Sequence, residues 1–309
     1  MSPLARWRRR IAATLAALWL LPPALAQDCP PPPDPQPAAL ADRGPLWEIE
    51  RDGRRSWLYG TLHVGKAGWT TPGPRVAAAL EASDLVALEL DPEDPGVQRQ
   101  LMAEALRPTP PLPPALARRL TDALRAACLD TRALAPLHPA MQAIVLTLAE
   151  ARRAGLDPAW GQEGALARSA RDRGRPLVAL ERVEQQLAVL LPRDAAAIAG
   201  LVERTLAPLE SGRGTASLAR LARAWEEADV ATLANYERWC DCIADDSDRA
   251  AMREMVDARN PGLADGIAAL HARGARVFAA VGALHMVGEQ GLPRLLAERG
   301  FAVRPVPAH

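Results

Sequence analysis

Two apolar runs, one near each end of the chain, close on a glycine that is followed three residues later by a histidine. The first is Trp57-Leu58-Tyr59-Gly60-Thr61-Leu62-His63, the second Val277-Phe278-Ala279-Ala280-Val281-Gly282-Ala283-Leu284-His285. Short apolar runs bounded by glycine read as strands. Glycine then turns the chain without a Cβ in the way. In an open α/β sheet, chemistry gathers just outside the carboxyl ends of the strands. Each unit therefore brings an imidazole to that edge. The chain has only five histidines, and two of them share this setting more than two hundred residues apart.

The first residues have the form of an export signal. Arg6, Arg8, Arg9 and Arg10 precede an apolar stretch from Ile11 to Leu21, and Ala24-Leu25-Ala26 is an A-x-A cleavage site. Residues 1–26 are expected to be removed, with residues 27–45 a proline-rich leader and residues 46–309 one domain. Arginine, alanine and proline are abundant and lysine is nearly absent. That bias points to a Gram-negative bacterium of high GC content, hence to a periplasmic or secreted protein with no membrane span after cleavage. Formal net charge is zero, with 37 basic and 37 acidic residues, which leaves no electrostatic footprint for nucleic acid. Four cysteines (Cys29, Cys128, Cys240 and Cys242) in an oxidising compartment predict disulfides, in any of three pairings. Cys240-Asp241-Cys242 lacks the C-x-x-C spacing of the usual redox or metal pair.

Leu46 to Tyr59 reads as a β-hairpin around Asp52-Gly53. Pro74 to Ala82 reads as a helix, and Asp84 to Leu90 as a strand too uniformly apolar to have a solvated face. Amphipathic helices dominate from about 97 to 175. A short buried strand is expected at Pro176–Glu181, further helices from about 182 to 273, broken near Asn260-Pro261-Gly262, and a late strand at Arg276–Val281. A helix over Gln290–Arg299 and an edge strand at Phe301–Pro305 close the chain. The fold class is α/β: a central, mostly parallel sheet with large helical insertions.

His63, Glu89, Glu181 and His285 all fall at or just past the carboxyl end of a predicted strand. A carboxylate ending a buried strand is costly unless it is paired, protonated or metal-bound. Two imidazoles and a carboxylate from distant parts of a chain make a familiar divalent-metal site with open coordination positions. His63, Glu89 and His285 are thus expected metal ligands. Asp91 precedes Pro92 and shapes a turn, His138 opens a helix, and His271 and His309 have no assigned role. There is no G-x-S-x-G elbow, H-E-x-x-H helix, P-loop, dinucleotide fingerprint or C-x-x-C-H.

These residues resemble the TraB/PrgY/GumN family, which includes the TIKI metalloproteases. Leu46-Trp47-Glu48-Ile49 leading to Tyr59-Gly60-Thr61-Leu62-His63-Val64-Gly65 is similar to its opening, and Glu89-Leu90-Asp91 to the glutamate segment after the first G-x-x-H. Gly161-Gln162-Glu163 through Arg173-Gly174-Arg175-Pro176 to Leu180-Glu181 resembles its central block. Arg259-Asn260 and Val281–Leu292 match its later elements. Glu163 stands where the family usually has aspartate, and Arg182 where threonine follows Glu181. The resemblance implies a fold related to erythromycin esterase-like and ChaN-like proteins.

The expectation is an exported, metal-dependent hydrolase acting on a peptide or small molecule. Mn²⁺, Co²⁺ or Zn²⁺ would turn bound water into a nucleophile near neutral pH. Glu181 or Glu163 would act as general base or orienting group, Arg259 would stabilise the oxyanion, and Asn260 would hold the turn or donate a hydrogen bond. A metal-free hydrolase with a histidine base is a close variant. The alternatives are a non-catalytic periplasmic binding protein for a peptide signal or haem, and an accessory of polysaccharide export.

Overall fold

The computed structural model describes residues 40–308. The expectations for the signal segment, for Cys29 and for His309 concern residues outside that range. A six-stranded mixed sheet organises the chain, in the order β4-β3-β5-β2-β1-β6. Strands β1 (Leu46–Arg51) and β2 (Arg54–Thr61) form the expected antiparallel hairpin. Its two-residue turn places Asp52 and Gly53 at φ 55° and 71°. This is the left-handed pair that a twisted hairpin requires and that Asp-Gly accommodates.

β3 (Leu85–Leu88), β4 (Leu177–Ala179) and β5 (Val277–Gly282) run parallel to one another, and β5 also runs parallel to β2. β6 (Ala302–Pro305) pairs antiparallel with β1 and closes one edge. β2 and β3, joined by helix Pro74–Glu81, are not neighbours. β5, from nearly two hundred residues later in the chain, occupies the place between them.

β4 departs from the expected buried strand. Its three residues are partly or fully exposed because it is the other edge of the sheet, with β3 on one side only.

Alternation along the strands gives the sheet two packed faces. Leu46, Trp57, Tyr59, Val86, Leu88, Phe278 and Ala280 face one core with Trp69, Val76, Leu166 and Trp225. Trp47, Ile49, Leu58, Ala87, Val277, Ala279 and Val281 face the other, against Leu263, Ile267, Leu292 and Leu296. With both faces covered, the central strands have no polar alternation, as their sequences indicate.

The central part of the chain is helical, and prolines start several helices, including Pro95–Ala105, Pro114–Ala126 and Pro139–Ala151. Leu116, Leu120 and Leu124 pack on Leu146, Val202 and Leu206 to give this block a core of its own. Trp225, fully buried near the end of helix Arg213–Glu226, joins the block to the sheet. Its indole N–H donates to the Gly60 carbonyl at 2.7 Å. Truncation of so large a buried side chain costs about 3–5 kcal/mol. Here it also releases the glycine of the first G-x-x-H unit.

Among the described residues, the histidines outside that pattern are structural. His138 caps helix Pro139–Ala151, its Nδ1 accepting from the Ala140 N–H at 3.1 Å. His271, fully buried, bonds Ser56 Oγ at 2.9 Å and the Arg51 carbonyl at 3.0 Å. Cys240 and Cys242 form a disulfide between helices Tyr236–Trp239 and Asp246–Met252. Among the described residues, no helix is long and apolar enough to cross a membrane.

Candidate functional site

The register of the parallel strands aligns the predicted residues. Thr61 pairs with Gly282, and Leu88 pairs with both Ala280 and Ala179. All four parallel strands therefore end within two residues of one another. His63 follows β2 by two residues, Glu89 follows β3 directly, Glu181 follows β4 by two, and His285 follows β5 by three.

His285 lies in a short 3-10 turn, Ala283–Met286, and is buried. Its Nδ1 is 2.5 Å from Asn260 Oδ1. The Asn260 amide nitrogen donates to the Gln290 carbonyl at 2.7 Å, which leaves only the amide oxygen to face the ring. Nδ1 must then carry the proton, and Nε2 keeps its lone pair. Burial disfavours the charged ring and lowers its pKa to about 4, although Glu89 pulls the other way. His285 is a neutral imidazole at pH 7.

His63 has the opposite character. Its ring is exposed, and its Nδ1 is 3.1 Å from Glu163 Oε1, which also accepts from the Thr61 hydroxyl at 2.6 Å. The neighbouring Glu163 carboxylate raises the His63 pKa to about 9. Burial opposes the Glu163 charge, but His63 and the hydrogen bonds outweigh it, so the carboxyl stays below its ordinary value.

Glu163 lies in the first turn of helix Gln162–Asp172, where partial positive charge favours an anion. Gln162 fixes this pairing from the backbone. Its side-chain oxygen accepts from the Leu62 N–H at 2.7 Å, and its own N–H donates to the Leu62 carbonyl at 3.2 Å. A Cβ on Gly161 would lie 2.6 Å from the His63 carbonyl oxygen, so only glycine permits this approach.

Glu89, 5 % exposed, sits between these two centres. One oxygen accepts from the Gly282 N–H at 2.8 Å. The other accepts from Arg259 at 2.6 Å and from Gln186 at 3.1 Å. Burial pushes this carboxyl up, but His285 once protonated in acid, the charges of His63 and Arg259, and the Gly282 N–H bring it down to about 2. Arg259 also grips Glu181 with two nitrogens, Nε at 2.9 Å and Nη2 on the second oxygen, while Nη1 bonds the Met255 carbonyl. One guanidinium thus bridges two carboxylates and offsets one of their two negative charges. A Cβ on Gly282 would stand 3.3 Å from Glu89 Oε1 and 3.4 Å from His285 Cδ2, so the glycine keeps both groups close to the strand end.

The donor chemistry fits the expected three-ligand metal centre only in part. Each imidazole has Nδ1 held by an oxygen and Nε2 facing away, the arrangement typical of metal-binding histidines. Glu89 differs: Arg259 holds the position beside its second oxygen that a cation would take. Among the described residues, no group of three or more His, Cys, Asp or Glu side chains is arranged to hold a metal ion.

Of the sequence candidates, Glu89, Glu181 and Arg259 form one network, His285 and Asn260 form a second unit, and His63 and Glu163 a third. Thr61, Gln186 and the Gly282 N–H were not anticipated as site groups. Thr61 and Gly282 belong to the two G-x-x-H units, whereas Gln186 has no local signal and comes into place only through helix Val183–Leu190.

The fold and site define an α/β protein with an acid, imidazole and guanidinium cluster on the carboxyl edge of its sheet. Residues 45–305 match the model of the TraB/PrgY/gumN family, and the chain belongs to that family. Comparisons with curated proteins and with solved structures gave no match.

Proposed function

We propose that the chain is a hydrolase of acyl compounds, with peptides the first class to test, and that its two histidines act as a complementary base and acid. One observation carries this reading. Asn260 holds His285 as a neutral imidazole with a free Nε2, while Glu163 favours the charged form of His63. Environments that separate the protonation of two like groups in one site are a signature of acid–base roles. Nε2 of His285 takes a proton from water as the water oxygen attacks the acyl carbon. His63 gives a proton to the departing nitrogen or oxygen as the acyl bond breaks. Glu89, Glu181 and Arg259 keep the edge charged and rigid, Arg259 bridging the two carboxylates. The Arg-rich, apolar N-terminal sequence supports a site of action outside the cytoplasm.

The test is hydrolysis of fluorogenic peptide pools and p-nitrophenyl esters by the wild type, His63→Ala and His285→Ala. Loss in both variants is expected, and unchanged turnover in both would overturn the reading. Exhaustive chelation separates the mechanisms. Activity that persists supports the metal-free form. Activity that disappears, and returns with Zn²⁺, Mn²⁺ or Co²⁺, supports metal assistance at the two free imidazole nitrogens.

A further inference from the structure

The Cys240–Cys242 bond closes a ring spanning three residues, between helices Tyr236–Trp239 and Asp246–Met252. A disulfide constrains the unfolded chain more as its loop lengthens, so this one adds little to the hold on the fold. Its surroundings suit a different task.

Cys240 is buried, whereas Cys242 is partly exposed. The Cys242 backbone N–H points at Cys240 Sγ at 3.3 Å, and the Tyr236 hydroxyl lies 3.2 Å from Cys242 Sγ. Each sulfur therefore has its own donor. Tyr236 is held against Trp239, with ring centroids 5.0 Å apart at 82°. The Trp239 indole N–H is anchored on the Thr232 carbonyl at 2.7 Å, and Arg220 covers its ring. Burial pushes the Tyr236 hydroxyl up to about 12, so it keeps its proton and stays a donor.

We infer that Cys240 and Cys242 form a thiol–disulfide exchange couple, in which Cys242 is the sulfur that an external thiolate attacks. In the first step a thiolate of an external dithiol bonds to Cys242 Sγ. The Cys240–Cys242 bond breaks, and Cys240 leaves as a thiolate beside the Cys242 N–H. The second thiolate of the reductant then attacks the mixed disulfide at the reductant's own sulfur. Cys242 is released toward the Tyr236 hydroxyl. Two electrons pass to the protein, both cysteines take up protons, and the reductant becomes a disulfide. Donors that stabilise the released sulfurs favour this direction.

The experiment uses the full chain in native buffer. Dithiothreitol treatment is followed by iodoacetamide and peptide mapping, with far-ultraviolet circular dichroism reporting the fold. Both Cys240 and Cys242 are expected to become alkylated while the fold is intact. In Cys240→Ser, oxidised glutathione should place one glutathione on Cys242 and release the other as thiol. Tyr236→Phe should slow reduction of the wild-type disulfide roughly three- to tenfold, the effect of one lost hydrogen bond. A bond that resists dithiothreitol until denaturant is added would overturn the inference. So would a folded Cys240→Ser chain that captures no glutathione. Should Cys240→Ser fail to fold, alkylation of the wild type decides alone.

Discussion

Asn260 Oδ1 lies 2.5 Å from His285 Nδ1, and the amide nitrogen of Asn260 donates to the Gln290 carbonyl. A single side chain at the start of helix Asn260–Ala272 therefore sets both the orientation and the proton position of an imidazole at the end of β5. Asn260→Ala is expected to lower kcat about 10- to 100-fold, the usual cost of losing a group that orients a site histidine. It should also lower stability by about 1–3 kcal/mol, because buried polar partners lose their bonds. Kinetics and urea denaturation of one preparation measure both.

Activity should depend on pH through two limbs. His285 must be neutral, which fails as pH falls toward about 4. His63 must be charged, which fails as pH rises through about 9. Glu163→Gln removes the carboxylate that raises His63, so the upper limb should move down toward the ordinary imidazole value of about 6.5, with the lower limb nearly in place. A pH–rate profile of wild type and variant checks this. An unmoved upper limb assigns that limb to another group.

Arg259→Met leaves Glu89 and Glu181 buried without their shared counter-charge. Removing one partner from a buried ionic network typically costs about 3–5 kcal/mol, and a loss of that size is expected in urea denaturation at neutral pH. Arg259→Lys should recover only part of it, because an ammonium lacks the fork that grips both Glu181 oxygens.

Gly282→Ala tests how closely the second motif is packed. The new methyl group meets Glu89 Oε1 and His285 Cδ2 at the tight end of contact, and either can yield by a few tenths of an ångström. The fold should survive with little loss, while turnover falls about tenfold or more, since small displacements of reacting groups are costly to rate. Thermal melts and kinetics measured together separate the two effects.

Stability should fall in mild acid because of buried histidines, His285 at the site and two others far from the proposed chemistry. Burial lowers the pKa of both His271 and His138. Between their folded values and the free value of about 6.5, the unfolded chain binds more protons. Their contribution is complete above the free value and is lost as pH drops below it. The melting temperature should therefore decrease from pH 7.5 to pH 5, and less steeply in His271→Gln, once each variant is referred to its own value at pH 7.5.

Much of this protein was legible in its sequence because the signals are local. Asp52-Gly53 between two apolar runs specified the hairpin, uniform apolar strands specified a sheet covered on both faces, and two glycine–histidine units marked one edge. Prolines at helix starts separated the helices of the central block. The family, too, follows from motifs taken in order along the chain. Strand pairing is a relation between distant positions, and no periodicity reports it. Only the tertiary structure placed β5 between β2 and β3 and left β4 half-paired at an edge. It likewise put Arg259 against Glu89, on the side where the sequence suggested a metal. Gln186 and the Gly282 N–H joined the site in the same way. A buried carboxylate must find compensating charge or hydrogen-bond donors, but the sequence names only that requirement; which partners meet it depends on what folding brings within reach.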